Sequence, residues 1–174
     1  MFELKLPFFL LLLFLSTFII IWRIKTRKFI SSGTVASAYD AWTQDKLLER
    51  LWGEHIHLGF YPFGKKNVDF RKAKVQFVHE LVKWSGLDKL PKGSRILDVG
   101  CGIGGSSRIL AKYYGFNVTG ITISPAQVKR ARELTPSGLN CNFLVMDALD
   151  LKFEDGSFDA VWSVEAGAHM NDKT

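Results

Sequence analysis

The sequence predicts an α/β fold with a parallel, doubly wound sheet, and three observations predict it. From residue 94 onward, short apolar runs rich in β-branched residues alternate with stretches patterned at the helical period. The connections between them are short, which calls for a parallel sheet with helices on both faces. At the first strand-to-helix handover stands "LDVGCGIGGSS", residues 97–107, with glycines at 100, 102, 104 and 105 behind a single aspartate. Glycine weakens helix and strand alike, so a cluster of it marks tight backbone or close approach.

Near the start of the chain stands "LPFFLLLLFLSTFIIIW", residues 6–22, which carries no charge, and "RIKTRK" follows at once. An uncharged run of this length lies at the lower edge of what crosses a bilayer. The basic flank follows the run and no small-residue cleavage site appears, which argues against a removed leader. The reading is a single N-terminal membrane anchor over 1–30, with the globular part on the cytoplasmic side of a plasma or thylakoid membrane. "ISSGTVASAYD", residues 30–40, reads as a polar linker, and the globular part begins near Val35.

Tyr39 to Leu51 reads as a helix that the glycines and proline of "WGEHIHLGFYPFG" interrupt. Asp69 is a candidate N-cap for a helix reaching about Trp84. Phe70, Ala73, Phe77, Val78, Leu81 and Val82 form one face of it, and Gly86 closes it. "SRILDVG" is the first strand, and Arg108 to Tyr114 belongs to a helix closed by Gly115. "FNVTGITI" is the second strand. "SPAQVKRAREL" is a helix with Ser124 as N-cap, Pro125 at its first position and Gln127 three after the cap. "CNFLVMDAL" and "FDAVWSVEAG" are the third and fourth strands. The division is 1–30 anchor, 31–90 helical cap and substrate segment, and 91–174 sheet domain.

Composition excludes some functions. The net charge of +6 is concentrated in residues 1–30, where Lys5, Arg23, Lys25, Arg27 and Lys28 face only Glu3. The remainder is close to neutral, so no nucleic-acid face is expected. Cys101 and Cys141 have no metal-ligand spacing, and neither C-x-x-C nor H-E-x-x-H occurs. Reduced thiols and no metal are the expectation.

In the glycine corner, Gly100 allows the tight turn and Gly102 removes a Cβ so that a ligand can approach the backbone. Gly104 and Gly105 let the helix start close to the sheet. A dinucleotide site wants an acid about 20 positions further on, where the sequence has "GITISP". The acid instead lies two residues before the first glycine, at Asp98. A carboxylate there suits an ammonium group, while the loop N–H groups suit a carboxylate.

That D-x-G-x-G-x-G order resembles the first motif of the class I S-adenosylmethionine (SAM) methyltransferases. "VASAYDAWTQDKLLERLWGEHIHLGFY", "LPKGSRILDVGCGIGGSSRILAKYYGFNVTGITISPAQVKRARELT" and "FEDGSFDAVWSVEAGAHMNDK" resemble the tocopherol-pathway methyltransferases, the cyanobacterial methylphytylbenzoquinol type above all. The resemblance implies a Rossmann-like SAM-methyltransferase fold, of which this chain holds the N-terminal part of the sheet, and a natural chain that continues past Thr174. It implies SAM as cofactor, a prenylated benzoquinol as substrate and methyl transfer to a ring carbon. Two alternatives are transfer to oxygen, as in tocopherol O-methyltransferases, and a non-catalytic SAM-binding fragment.

Position by position, the resemblance places Asp98, Gly100, Cys101, Gly102 and Gly104 in the SAM loop. Thr122 and Ile123 stand where the usual ribose acid is replaced, and Gln127 either reaches the cofactor or completes the capping box with Ser124. Asp147 and Ala148, ending the third strand, fit the adenine amino group. A quinol carbon becomes nucleophilic when its neighbouring hydroxyl loses a proton, so the reaction wants a base near the phenol. His169, His57 and Glu165 are the candidates, with His55 beside them. His79 reads as structural. Trp52, Phe60, Tyr61 and Tyr39 are candidates for an apolar substrate slot or for ordinary packing. A prenyl tail dissolved in the bilayer makes the lipid a second expected partner.

Overall fold

A computed structural model describes residues 16, 32–64 and 68–170 of the chain. Contacts divide it into two compact units, Met1–Thr34 and Val35–Thr174. The expected membrane-spanning helix and the cytoplasmic placement that depended on it are corrected. No helix among the described residues is long and apolar enough to cross a membrane. The 6–22 run, apart from Ser16, lies outside the described residues.

The polar-linker expectation for 30–40 also fails, because a helix, α1, runs from Ser32 to Gln44. Tertiary contact overrides the turn-like composition: Val35 is buried, and the Asp40 carboxylate is held by groups 84 and 86 positions away. The helix expected to reach Leu51 breaks at Lys46, which adopts φ 54°, and resumes as α2, Leu47–Trp52. Asp45 starts the second piece by accepting the Leu47 N–H at 2.8 Å. Helix α3, Phe70–Ser85, has the predicted caps: the Asp69 carboxylate accepts the Lys72 N–H, and Gly86 is left-handed.

The sheet comprises β1 Arg95–Val99, β2 Asn117–Thr122, β3 Cys141–Val145 and β4 Ala160–Ser163. All pairings are parallel and the order is β3-β2-β1-β4. Helix α4, Gly105–Tyr114, joins β1 to β2, and α5, Pro125–Leu134, joins β2 to β3. The chain thus moves outward from β1 to β3 and then returns to β1's other side. The carboxyl end of β1 is the switch point where open α/β sheets take ligands.

Register fixes which side chains share a face. Asp98 aligns with Gly120 and Trp162, and Gly120 with Phe143. On that face Ile96, Val118 and Trp162 pack with Val78 and Val82 of α3 and Leu110 of α4. Phe143 packs there with Val128 and Ala131 of α5. The opposite face carries Leu97, Val99 and Ile121, met by Phe153, Phe158 and Met170 from loops and turns. So the expectation of helices on both faces is met on one only among the described residues, and Val161 on the other stays 65% exposed.

Candidate functional site

The corner after β1 is stitched to its neighbour strand. Gly100 and Cys101 both donate their N–H to the Ile121 carbonyl, at 2.9 and 3.0 Å. Gly100, Gly102 and Gly104 all have positive φ, at 75°, 55° and 80°. Their surroundings differ. A Cβ on Gly104 would sit 2.7 Å from the Phe143 ring, and one on Gly105 2.6 Å from the Glu54 carbonyl oxygen. A Cβ on Gly100 would strike Ala166 in the turn after β4. A Cβ on Gly102 would meet nothing within 4 Å. Gly104 and Gly105 therefore serve packing, and Gly102 opens bare backbone onto free space. That cradle fits a ligand that approaches main-chain N–H groups.

Asp98 lies beneath this corner, and its carboxylate accepts the Ser107 hydroxyl at 2.5 Å. Burial raises its pKa to about 6, with the hydrogen bonds from Ser107 acting the other way. A cation bound beside it would favour the ionised form. Burial likewise pushes the Cys101 thiol well up, which marks it as a packed side chain and not a nucleophile.

At the end of β2, Thr122 donates to Gln127 Oε1 at 2.7 Å and accepts the Ser124 N–H at 3.3 Å. Ser124 caps α5 by accepting the Gln127 N–H. Both side chains assigned to the ribose edge are thus bonded to each other, and Ile123 beside them is half-buried. Asp147 and Ala148 lie beyond β3, not at its end. Asp147 accepts the Leu149 N–H at 2.9 Å in a local turn.

The "GEHIHLG" segment crosses the amino end of α4. Arg108 donates to Glu54 at 2.6 Å and to the Ile103 carbonyl at 2.8 Å. His57 Nδ1 lies 2.7 Å from the Leu58 carbonyl, which can only accept, so Nδ1 carries the proton. His57 Nε2 of the neutral ring then accepts from His55 Nδ1 at 3.1 Å. Both nitrogens of His57 are engaged, and the pair's free lone pair is on His55 Nε2. Burial lowers the pKa of His55 to about 3, with His57, Arg108 and Lys74 adding to it; burial also lowers that of His57. Glu165 accepts the Leu58 N–H at 3.0 Å. His169 lies in a 3₁₀ turn, Gly167–His169, after β4. His79 bonds Tyr114, in keeping with a structural role. Trp52, Phe60 and Tyr61 are all exposed, at 46%, 39% and 54%, so these rings face out of the packed core.

Sequence reasoning missed the groups that hold the segment 35–61 to the sheet domain. These are Asp40 of α1, which bonds the amino end of α5, Glu49 paired with Arg130 at 2.6 Å, Glu54 with Arg108, and Lys74. Lys74 left a signal: it stands on the apolar stripe of α3, four residues from both Phe70 and Val78, and is 5% exposed. The acids left none, because their partners lie more than 50 positions away.

Residues 96–174 match the methyltransferase-domain family. The chain is 63% identical over 147 residues to the 2-methyl-6-phytyl-1,4-hydroquinone methyltransferase of Synechocystis, covering 84% of this chain and 46% of that protein. The chain is thus similar to a methyltransferase over most of its length, and its residues 96–174 carry the match to a methyltransferase domain. It is also 43% identical over 137 residues to the chloroplastic tocopherol O-methyltransferase of Arabidopsis thaliana, covering 73% of this chain and 39% of that protein. It therefore spans less than half the length of these relatives. Among solved structures, the [4+2]-cyclase SpnF superposes with a TM-score of 0.66 at 30% identity, over 76% of this chain and 48% of that one. Magnesium protoporphyrin IX methyltransferase of Synechocystis, crystallised with SAM, superposes at 0.58 and 24% identity, over 83% and 66%, and so shows the fold. The Rossmann-like expectation holds.

Proposed function

We propose that this chain takes part in SAM-dependent methylation of a ring carbon of a prenylated benzoquinol of the 2-methyl-6-phytyl kind. The observation that carries the reading is the 63% identity to a methyltransferase named for that substrate. Bound SAM supplies an electrophilic methyl group; the chain's own residues bind, orient and manage the proton. Gly100, Cys101, Gly102 and Gly104 provide the main-chain cradle, and Asp98 faces the ammonium. Thr122, Ile123 and Gln127 border the ribose, and Asp147 and Ala148 the adenine. The cap and substrate segment is 31–90, and 91–174 the cofactor domain.

The phenol proton goes to His57 through the lone pair on His55, or to His169 in the turn after β4. With an oxygen on the Leu58 N–H, Glu165 enters through the histidine pair and not as the base. The test supplies the chain with methyl-labelled SAM and the quinol in lipid vesicles, where a phytyl tail partitions, and locates the label. Label on carbon supports the reading. Label on oxygen favours the second reading, a tocopherol-type O-methyltransferase, which the 43% identity supports. SAM binding with no transfer identifies a cofactor-binding fragment, which fits a span of 46% of the relative.

A further inference from the structure

Residues Glu54–Leu58 form a strap that touches three elements at once. At one end Arg108 of α4 holds Glu54, and the missing side chain of Gly105 makes room for the Glu54 carbonyl and the His55 ring. In the middle, the buried Lys74 of α3 donates to the His55 carbonyl at 2.7 Å. At the other end the Glu165 carboxylate accepts the Leu58 N–H, the Phe77 ring of α3 packs on His57, and Phe60 donates its N–H to the Ala73 carbonyl of α3 at 2.9 Å.

Glu165 has φ 56°, and among the described residues only Lys46 shares a positive φ without being glycine. A left-handed glutamate is costly and persists where its surroundings over-determine it. The surroundings here are named. The next residue, Ala166, presses on Gly100 of the cofactor corner, so the turn after β4 is set by the corner beneath it. That turn aims Glu165 at the strap.

We propose that Glu165 is a positioning residue: its carboxylate ties the Leu58 end of the strap to the turn after β4 and keeps the His55–His57 pair closed against the cofactor corner. The structural part stands on these contacts alone. Its consequence for cofactor affinity rests on the proposed cofactor cradle.

The test measures the His57 pKa by nitrogen NMR of the ligand-free chain, and S-adenosylhomocysteine affinity by calorimetry, in wild type, Glu165→Gln and Glu165→Gly. Glycine keeps the left-handed turn without the carboxylate; glutamine keeps an acceptor without the charge. The groups acting on His57 are its own burial, which lowers its pKa most, Leu58 and Glu165, which raise it, and Lys74, which lowers it. If Glu165 acts only through charge, both variants lower the His57 pKa. If it holds the strap, Glu165→Gly raises it toward the ordinary value of about 6.5, because burial is lost, while Glu165→Gln lowers it. The cofactor affinity then falls about fivefold or more in Glu165→Gly alone.

A His57 pKa in Glu165→Gly equal to or below that in Glu165→Gln overturns the proposal. Should the glycine variant not fold, Glu165→Asn, which tolerates the turn but is shorter by one methylene, takes its place with the same criterion. A wild type that binds no homocysteine nucleoside sinks the cradle and not the strap, which the imidazole readout still decides.

Discussion

Two helices of this fold follow a strand of the same sheet, and their amino ends are built in opposite ways. At α5 the end is filled. Ser124 caps it, Asp40 arrives from α1 to accept the Ala126 N–H and the Ser124 hydroxyl, and Thr122 and Gln127 close on each other beside it. At α4 the cap residue is Gly104, which offers no side-chain hydrogen bond, and Gly102 before it faces open space. Every helix begins with N–H groups that lack a partner inside the helix. A protein that supplies partners is using the end for structure; one that clears side chains from it leaves room for a ligand. The difference teaches where in a repeated βα unit to look for chemistry.

The largest expected effect breaks the comparison at its open end. Gly102→Val puts a branched side chain into the free space and into left-handed backbone. SAM affinity should fall at least about 100-fold, about 2.7 kcal/mol, with fold retained at a backbone cost of about 1–2 kcal/mol, since an added Cβ meets nothing within 4 Å. Calorimetry with SAM reads the affinity and circular dichroism the fold. Undiminished affinity would place the cofactor elsewhere. Gly104→Ala should show the reverse emphasis. Its Cβ would overlap Phe143 and the Arg108 guanidinium at φ 80°, so the loss falls on stability, about 2–4 kcal/mol in chemical denaturation.

Much of this contrast was legible in the residues. The strand order of events, the caps Asp69, Gly86, Ser124 and Gly115, and the division of labour among the corner glycines follow from local rules that act over a few positions. What the sequence hid acts over long separations. Nothing local tells that Asp40 completes a cap 84 positions away, so the first part of α1 read as a linker. Nothing local tells that Thr122 and Gln127 bond each other, so Thr122 read as a cofactor contact and Gln127 as either that or a partner of the Ser124 cap. Strands β3 and β4 are shorter than their apolar runs, because pairing and not composition ends a strand. That left Asp147 and Ala148 in a turn. An apolar run at 6–22 says what a segment tolerates, and the expected span finds no support among the described helices.

A pH series sharpens the open end further. Asp98 is raised to about 6 from 3.8, so its contribution to stability is complete below 3.8 and is lost as the pH rises through 6. His55, lowered to about 3 from 6.5, works in the opposite sense: its contribution is complete above 6.5 and is lost as the pH falls toward 3. The two oppose each other between about 4 and 6, so stability alone reads neither cleanly. Affinity does. A cationic ligand that prefers ionised Asp98 should bind about tenfold more tightly at pH 7 than at pH 5, with proton release on binding. Asp98→Asn should flatten the profile. A flat profile in the wild type would remove Asp98 from the ammonium site.

The smallest expected effect lies at the filled end, and it is the one that tests the comparison itself. Ser124 is fully buried, so Ser124→Ala leaves the Gln127 N–H without its cap and removes the hydroxyl that bonds Asp40. The loss should be about 1–2 kcal/mol of stability, the usual cost of deleting an N-cap. Asp40→Asn, which keeps an acceptor for the Ala126 N–H, should cost less. If the α5 end is structural, SAM affinity at a temperature where both variants stay folded should change by less than about threefold. A Ser124→Ala protein that unfolds at the wild-type temperature yet binds SAM tenfold more weakly would show the opposite. The Thr122–Gln127 pair would then owe its orientation to the cap and lend it to the ribose, and the two helix ends would form a single site.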